Sequence, residues 1–209
     1  DPGREQFVQA ENGEKMTLGE LDSLANQCAH WGMSVGLHLS NKDTVALMLV
    51  NSPAYVAFWY GMAKIGVVTA LINTGRAGLA LMHSVETALR DNEGIKLLVI
   101  SRELYTALPS TVEDEFEQLG IQVMIWEELY SPGLESYGDV VREIGIISTA
   151  NKTRPSKSVR AHVRESDVLL YIYTSGTTGL PKASKITHTR YYVASSPFRI
   201  LCALSRQDR

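Results

Sequence analysis

Short apolar runs recur along the chain at residues 44–50, 67–72, 95–100, 121–126 and 168–173, and helix-patterned stretches separate the first four. None of these runs alternates polar with apolar residues. A strand of that kind has both faces buried, the condition of strands in a parallel sheet with helices on either side. The intervening stretches fit. Thr17 and Glu20 form a capping box ahead of Leu18, Leu21, Leu24, Ala25 and Cys28, which recur at helical spacing. Helical patterns follow at 53–65, 79–90 and 102–120, the last interrupted at Pro109. The pattern predicts an α/β fold, a mainly parallel sheet covered by helices, incomplete at its C-terminal end.

Residues 44–63 carry no charge over a length that could cross a bilayer. Asn51, Ser52 and Pro53 break that run with a helix start signal, so a buried strand followed by a helix is the expected parse. With 209 residues and 44% of them hydrophobic, the chain has ample material for a core, which excludes a disordered tail, a collagen-like fibre or a disulfide-stapled miniprotein. Cys28 and Cys202 stand far apart with no zinc-ligand spacing, so reduced thiols in an intracellular chain are expected. His83 and Glu86 can share a helix face, a pairing read as structural.

Charge is divided unevenly. Residues 1–150 hold 9 basic and 20 acidic side chains, a net of −11; residues 151–209 hold 11 basic and 3 acidic, a net of +8. Such a basic end calls for an anionic partner: nucleic acid, a membrane surface or a phosphorylated small molecule. Nucleic acid is set aside, since only Arg190, Tyr191 and Tyr192 interleave aromatic with basic residues. Tyr191 and Tyr192 are themselves read as core aromatics, and Arg190 and Arg199 as solvated. The pattern weakens from Glu127 to Asp167, with a helix expected near 139–147. The expected organisation is an α/β body at 1–150, a solvated basic connector at 151–167, and a hairpin with the start of a further unit at 168–209. The chain opens at Asp1 without methionine and stops at Arg209 in a helical pattern, so it is expected to be part of a longer protein.

The strand at 168–173 runs directly into Thr174, Ser175, Gly176, Thr177, Thr178, Gly179, Leu180, Pro181 and Lys182, and residues 183–187 can return as a second strand. Gly176 and Gly179 allow consecutive N–H groups to point into one concavity. The hydroxyls of Thr174, Ser175, Thr177 and Thr178 add donors, Lys182 adds a mobile cation, and Pro181 stiffens the exit. Many donors, one cation and no carboxylate suit a polyphosphate. The spacing is not that of a P-loop, because Lys182 follows proline and precedes Ala183.

Residues 173–182, YTSGTTGLPK, resemble the signature phosphate loop of the adenylate-forming enzymes, which include acyl-CoA synthetases, luciferases and the adenylation domains of peptide synthetases. Residues 16–21 resemble that superfamily's first helix entry, and residues 62–74 its second core motif. The run from Ala70 to Thr74, with Tyr171 and Ile172 before the loop and residues 188–192 after it, is similar to the fatty acid transport proteins, the very-long-chain acyl-CoA synthetases. The likeness spans nearly the whole chain, more loosely over 101–164, and about the first third of a family member.

The resemblance implies a ligase that uses ATP with Mg²⁺ to form an acyl-adenylate from a fatty acid, then transfers the acyl group to coenzyme A, coupled to fatty acid uptake. The implied phosphate-binding residues are Tyr173, Thr174, Ser175, Gly176, Thr177, Thr178, Gly179, Leu180, Pro181 and Lys182. The metal, adenine and ribose ligands and the catalytic lysine of the family lie beyond Arg209, so no catalytic or metal residue is assigned here and the chain alone is expected to be inactive. The implied setting is intracellular and membrane-associated, at the endoplasmic reticulum or plasma membrane. The alternatives are a medium-chain, aryl or amino-acid activating ligase, or a non-enzymatic lipid-uptake protein at a membrane.

Overall fold

The computed structural model describes residues 5–8, 15–34, 36–41, 43–130, 146–174 and 180–201. Strands β1 (Glu5–Val8) and β2 (Lys15–Thr17) form an antiparallel pair that leads into helix α1 (Leu18–Gly32). The capping box at the start of α1 is present: the Thr17 hydroxyl accepts from the Glu20 amide at 3.2 Å, and the Glu20 carboxylate accepts from the Thr17 amide at 2.8 Å. Strand β3 (Thr44–Met48) follows, then α2 (Pro53–Lys64), β4 (Val68–Leu71), α3 (Gly78–Leu89) and β5 (Lys96–Ile100). The long helical pattern that followed is two helices, α4 (Arg102–Thr106) and α5 (Ser110–Gln118), divided at Pro109. After β6 (Ile121–Ile125) come α6 (Trp126–Leu129) and α7 (Ile146–Thr149), a 3-10 turn (Lys157–Arg160), β7 (Val168–Thr174), β8 (Lys182–Thr187) and α8 (His188–Leu201).

Six strands make one sheet in the order β6-β5-β3-β4-β7-β8, parallel throughout except for the β7–β8 hairpin. The uncharged run at 44–63 is β3 and α2, separated by the Ser52 cap, which accepts from the Tyr55 amide at 3.2 Å. No helix among the described residues is long and apolar enough to cross a membrane. The helix expected near 139–147 is seen only as Ile146–Thr149, since residues 139–145 lie outside the described set.

The absence of alternation in the strands has the predicted consequence, an apolar layer on each face. Val45, Leu47, Leu97 and Val99 meet Leu21, Leu24, Cys28, Phe58 and Met62 from α1 and α2. Ala46, Met48, Leu98 and Ile100 meet Leu81, Val85, Leu89, Val112 and Phe116 from α3 and α5. Since β4 and β5 flank β3 while α2 and α3 cover opposite faces, the β3–β4 and β4–β5 crossovers share one hand, in keeping with the strong preference for right-handed units. Helices α1 and α2 cross closely at Gly61, where a Cβ would stand 2.6 Å from the Ala25 carbonyl oxygen. Only glycine fits there.

The segment before β7 is largely exposed, and long-range hydrogen bonds fix its course. Gln27 Nε2 donates to the Ser148 carbonyl and Asn26 Nδ2 to the Lys152 carbonyl, each at 2.8 Å; His30 Nε2 lies 3.0 Å from the Thr153 carbonyl, which can only accept. Beneath it Lys64 Nζ donates to Asp22 Oδ1 and Asn26 Oδ1, both at 2.6 Å, and Arg154 reaches the same Asp22 oxygen at 3.0 Å. Partial burial alone pulls the Asp22 carboxyl up, but Lys64 and Arg154 outweigh it and hold the group below its ordinary range. For Lys64 the burial wins and its pKa is lowered despite Asp22. The pair orders the segment more than it stabilises the fold.

Candidate functional site

The β7–β8 hairpin builds the site. Its ladder pairs Tyr171 with Lys185, Ile172 with Ser184, Tyr173 with Ala183 and Thr174 with Lys182. The Thr174 hydroxyl donates to the Lys182 carbonyl at 3.4 Å, closing the hairpin at the point where the hydroxyl- and glycine-rich turn begins. Tyr171 and Tyr173 turn toward the layer formed by α3 and α5. The Tyr173 phenol donates to the Ser84 carbonyl of α3 at 2.8 Å, tying the root of the turn to a packed helix. Burial, with Tyr171 close by, pushes the Tyr173 phenol well above its ordinary range, so it remains a neutral donor.

At the far side of the turn, Pro181 is buried, Leu180 is 43% exposed and Lys182 is exposed at the head of β8. Leu180 lies at a groove of about 420 Å³ between α3 and α5, lined also by Leu79, Met82, His83, Glu86 and Leu119. Thus Tyr173, Thr174, Leu180, Pro181 and Lys182 frame the turn. Ser175, Gly176, Thr177, Thr178 and Gly179 lie outside the described residues.

Parallel pairing brings the carboxyl ends of β3, β4, β5 and β7 to one edge of the sheet, the edge where open α/β sheets bind ligands. Strand β4 pairs Leu71 with Ile172 of β7 and ends there, and the chain runs on through Ile72 to Asn73. Asn73 there organises a tight turn: its side-chain oxygen accepts from the Gly75 amide at 2.8 Å, and its carbonyl accepts from the Arg76 amide at 3.1 Å. Sequence reasoning placed Asn73 and Thr74 in a family-like motif without assigning them to the site. A polar turn directly after a buried parallel strand was the available signal.

No group of three or more His, Cys, Asp or Glu side chains able to hold a metal ion occurs among the described residues. Tyr191, expected in the core, stacks edge-on against Trp59 of α2 with ring centroids 5.8 Å apart, yet remains 39% exposed. Tyr192, also expected in the core, is 73% exposed.

The site thus stands on a mainly parallel sheet covered by helices on both faces, with the β7–β8 hairpin reaching its carboxyl edge. The chain belongs to the AMP-binding enzyme family, which it matches over residues 1–206. It is 32% identical over 197 residues to long-chain fatty acid transport protein 1 of Rattus norvegicus, covering 91% of this chain and 28% of that protein. It is 33% identical over 181 residues to long-chain fatty acid transport protein 6 of Homo sapiens, covering 84% and 26%. The fold is similar to that of the anthranilate CoA ligase AuaEII in complex with anthranoyl-AMP, with a TM-score of 0.70, 20% identity, and coverage of 95% of this chain and 34% of that one. The chain therefore spans little more than a quarter of the length of the fatty acid transport proteins that it matches.

Proposed function

We propose that this chain supplies the phosphate-gripping part of an ATP-dependent long- or very-long-chain fatty acid–CoA ligase, and that the whole protein works where fatty acids enter a membrane. The reading is carried by one observation: the YTSGTTGLPK segment is rooted at Tyr173 on α3 and closed at Thr174 and Lys182, at the carboxyl end of a strand of the parallel sheet. Similarity to proteins named as long-chain fatty acid transporters favours a fatty acid as the acyl substrate.

In the proposed reaction a fatty acid carboxylate attacks the α-phosphate of ATP, expelling pyrophosphate and leaving an acyl-adenylate. The thiol of coenzyme A then displaces AMP to give the thioester. The task of this chain is the first step. Hydroxyls of Thr177 and Thr178, with amides near Gly176 and Gly179, hold the β- and γ-phosphates, and Lys182 offsets the charge that grows on the departing pyrophosphate. Magnesium would arrive with the nucleotide, and no ligand to it is assigned from this chain.

The test is acid-dependent ATP–pyrophosphate exchange by protein that carries this chain with the remaining family sequence. Long-chain fatty acids are expected to drive the exchange, and coenzyme A to convert it into thioester formation. Exchange driven only by aryl or amino acids would reassign the substrate, and none with any acid would reject the ligase reading.

A further inference from the structure

Residues 151–164 contain Lys152, Arg154, Lys157, Arg160 and Arg164 with no acidic side chain among them. The first residues of this stretch are fastened from below by Asn26 and His30 on α1, Pro155 is buried, and Val163 packs where Gly66 leaves room for it. Its far end is held as well: the Asp167 carbonyl accepts from the His188 amide at 3.1 Å, and the Glu165 carbonyl from the Thr189 hydroxyl at 3.0 Å. Between these anchors the 3-10 turn Lys157–Arg160 turns every side chain to solvent, including Val159, which is 38% exposed. Among the described residues only Arg154 of the five cations has an ion-pair partner, Asp22. Like charges are gathered rather than dispersed: Arg154 and Arg160 both act on Lys64, and Arg160 also acts on His188.

A compact set of like charges costs free energy in isolation, and an anionic partner removes that cost. The turn stands outward, which fits a broad surface better than a small phosphorylated molecule that needs a concavity. Residues 151–164 hold no Phe, Tyr or Trp on which bases could stack, and an exposed valine sits amid the cations. Clusters of four to eight Lys and Arg on a fixed surface match anionic lipid headgroups. We propose that this ordered basic strap docks the protein on an anionic lipid surface. The inference rests on the proposed function only in favouring lipid as the partner, and it names the surface that meets the membrane.

Co-sedimentation of the protein with vesicles tests it, using phosphatidylcholine alone and phosphatidylcholine mixed with phosphatidylserine. Binding is expected only to the mixed vesicles, and is expected to fall as salt is raised. Lys157→Gln should weaken that binding about fivefold, and Lys157→Gln with Arg160→Gln about thirtyfold, at about 1 kcal/mol for each cation. Arg90→Gln, an exposed charge just past the end of α3 removed at the same cost in net charge, should leave binding unchanged, and circular dichroism should show all variants folded. Equal binding by parent and strap variants, equal binding to both vesicle types, or an equal loss in Arg90→Gln would overturn the proposal. So would tighter binding of the strap to duplex DNA or RNA than to the mixed vesicles. Pyrophosphate exchange is read separately: lost vesicle binding with intact exchange in the strap variants separates docking from chemistry, and absent exchange with intact docking rejects only the ligase reading.

Discussion

Lys182→Ala is expected to slow adenylate formation by about 2.7–4 kcal/mol, a loss of about 10²–10³ in rate, while leaving the fold intact. The first half of that statement follows from where charge appears. Pyrophosphate leaves with more negative charge than it carries as part of ATP, and a cation set at the hairpin's closing pair meets that charge without rearrangement. The second half follows from exposure: the Lys182 side chain is in solvent, and its structural part is played by its backbone carbonyl, which accepts from Thr174. The loss should fall on the rate of fatty-acid-dependent pyrophosphate exchange, with acyl transfer from a preformed adenylate far less affected. Unchanged exchange in a folded Lys182→Ala protein removes the residue from the phosphate-gripping role.

Phe58→Ala is expected to destabilise the protein by about 3–5 kcal/mol, the usual cost of emptying a buried aromatic site. Phe58 is fully buried on α2, between Trp31 of α1 at 5.8 Å and Trp126 at the start of α6 at 5.9 Å, the latter edge-on. Three elements distant in sequence meet on this ring. Their surroundings cannot collapse into the space, because α1 and α2 are already in backbone contact at Gly61. Urea unfolding measures the effect. A loss below about 1 kcal/mol would mean that the α1–α2 layer is not packed as described.

The parts of the fold that proved legible in sequence are those whose cause is local. Each strand of the parallel sheet announced itself by a largely apolar run without alternation, α1 by its capping box, and the split between α4 and α5 by Pro109. Strands β1 and β2 were not foreseen, since Glu5–Val8 and Lys15–Thr17 are short and mixed in polarity. Trp126 read as the last residue of a strand but begins α6, where it caps the layer over Phe58. The basic connector was legible as exposed, not as ordered. Its start is held by Asn26 and His30, side chains more than 120 residues away in sequence, and no local pattern records such bonds.

At the candidate site the same division holds. The composition of residues 174–182, with glycines, hydroxyls and one lysine in sequence, is what suggested a phosphate grip. The neighbourhood of β4 and β7 comes only from their pairing, which joins positions about a hundred residues apart. The hold of Tyr173 on Ser84 is likewise a product of packing, because nothing near either residue in sequence points to the other.

The most direct measurement follows the backbone amide resonances of Gly176, Gly179 and Lys182 as Mg–ATP is added to the folded protein. A turn that grips a triphosphate tail will show all three shifting in a saturable way, with inorganic tripolyphosphate producing a similar response and adenosine almost none. Resonances that stay in place at ATP concentrations sufficient for family ligases, or that move with adenosine but not with tripolyphosphate, would contradict the assignment of this hairpin as the phosphate grip.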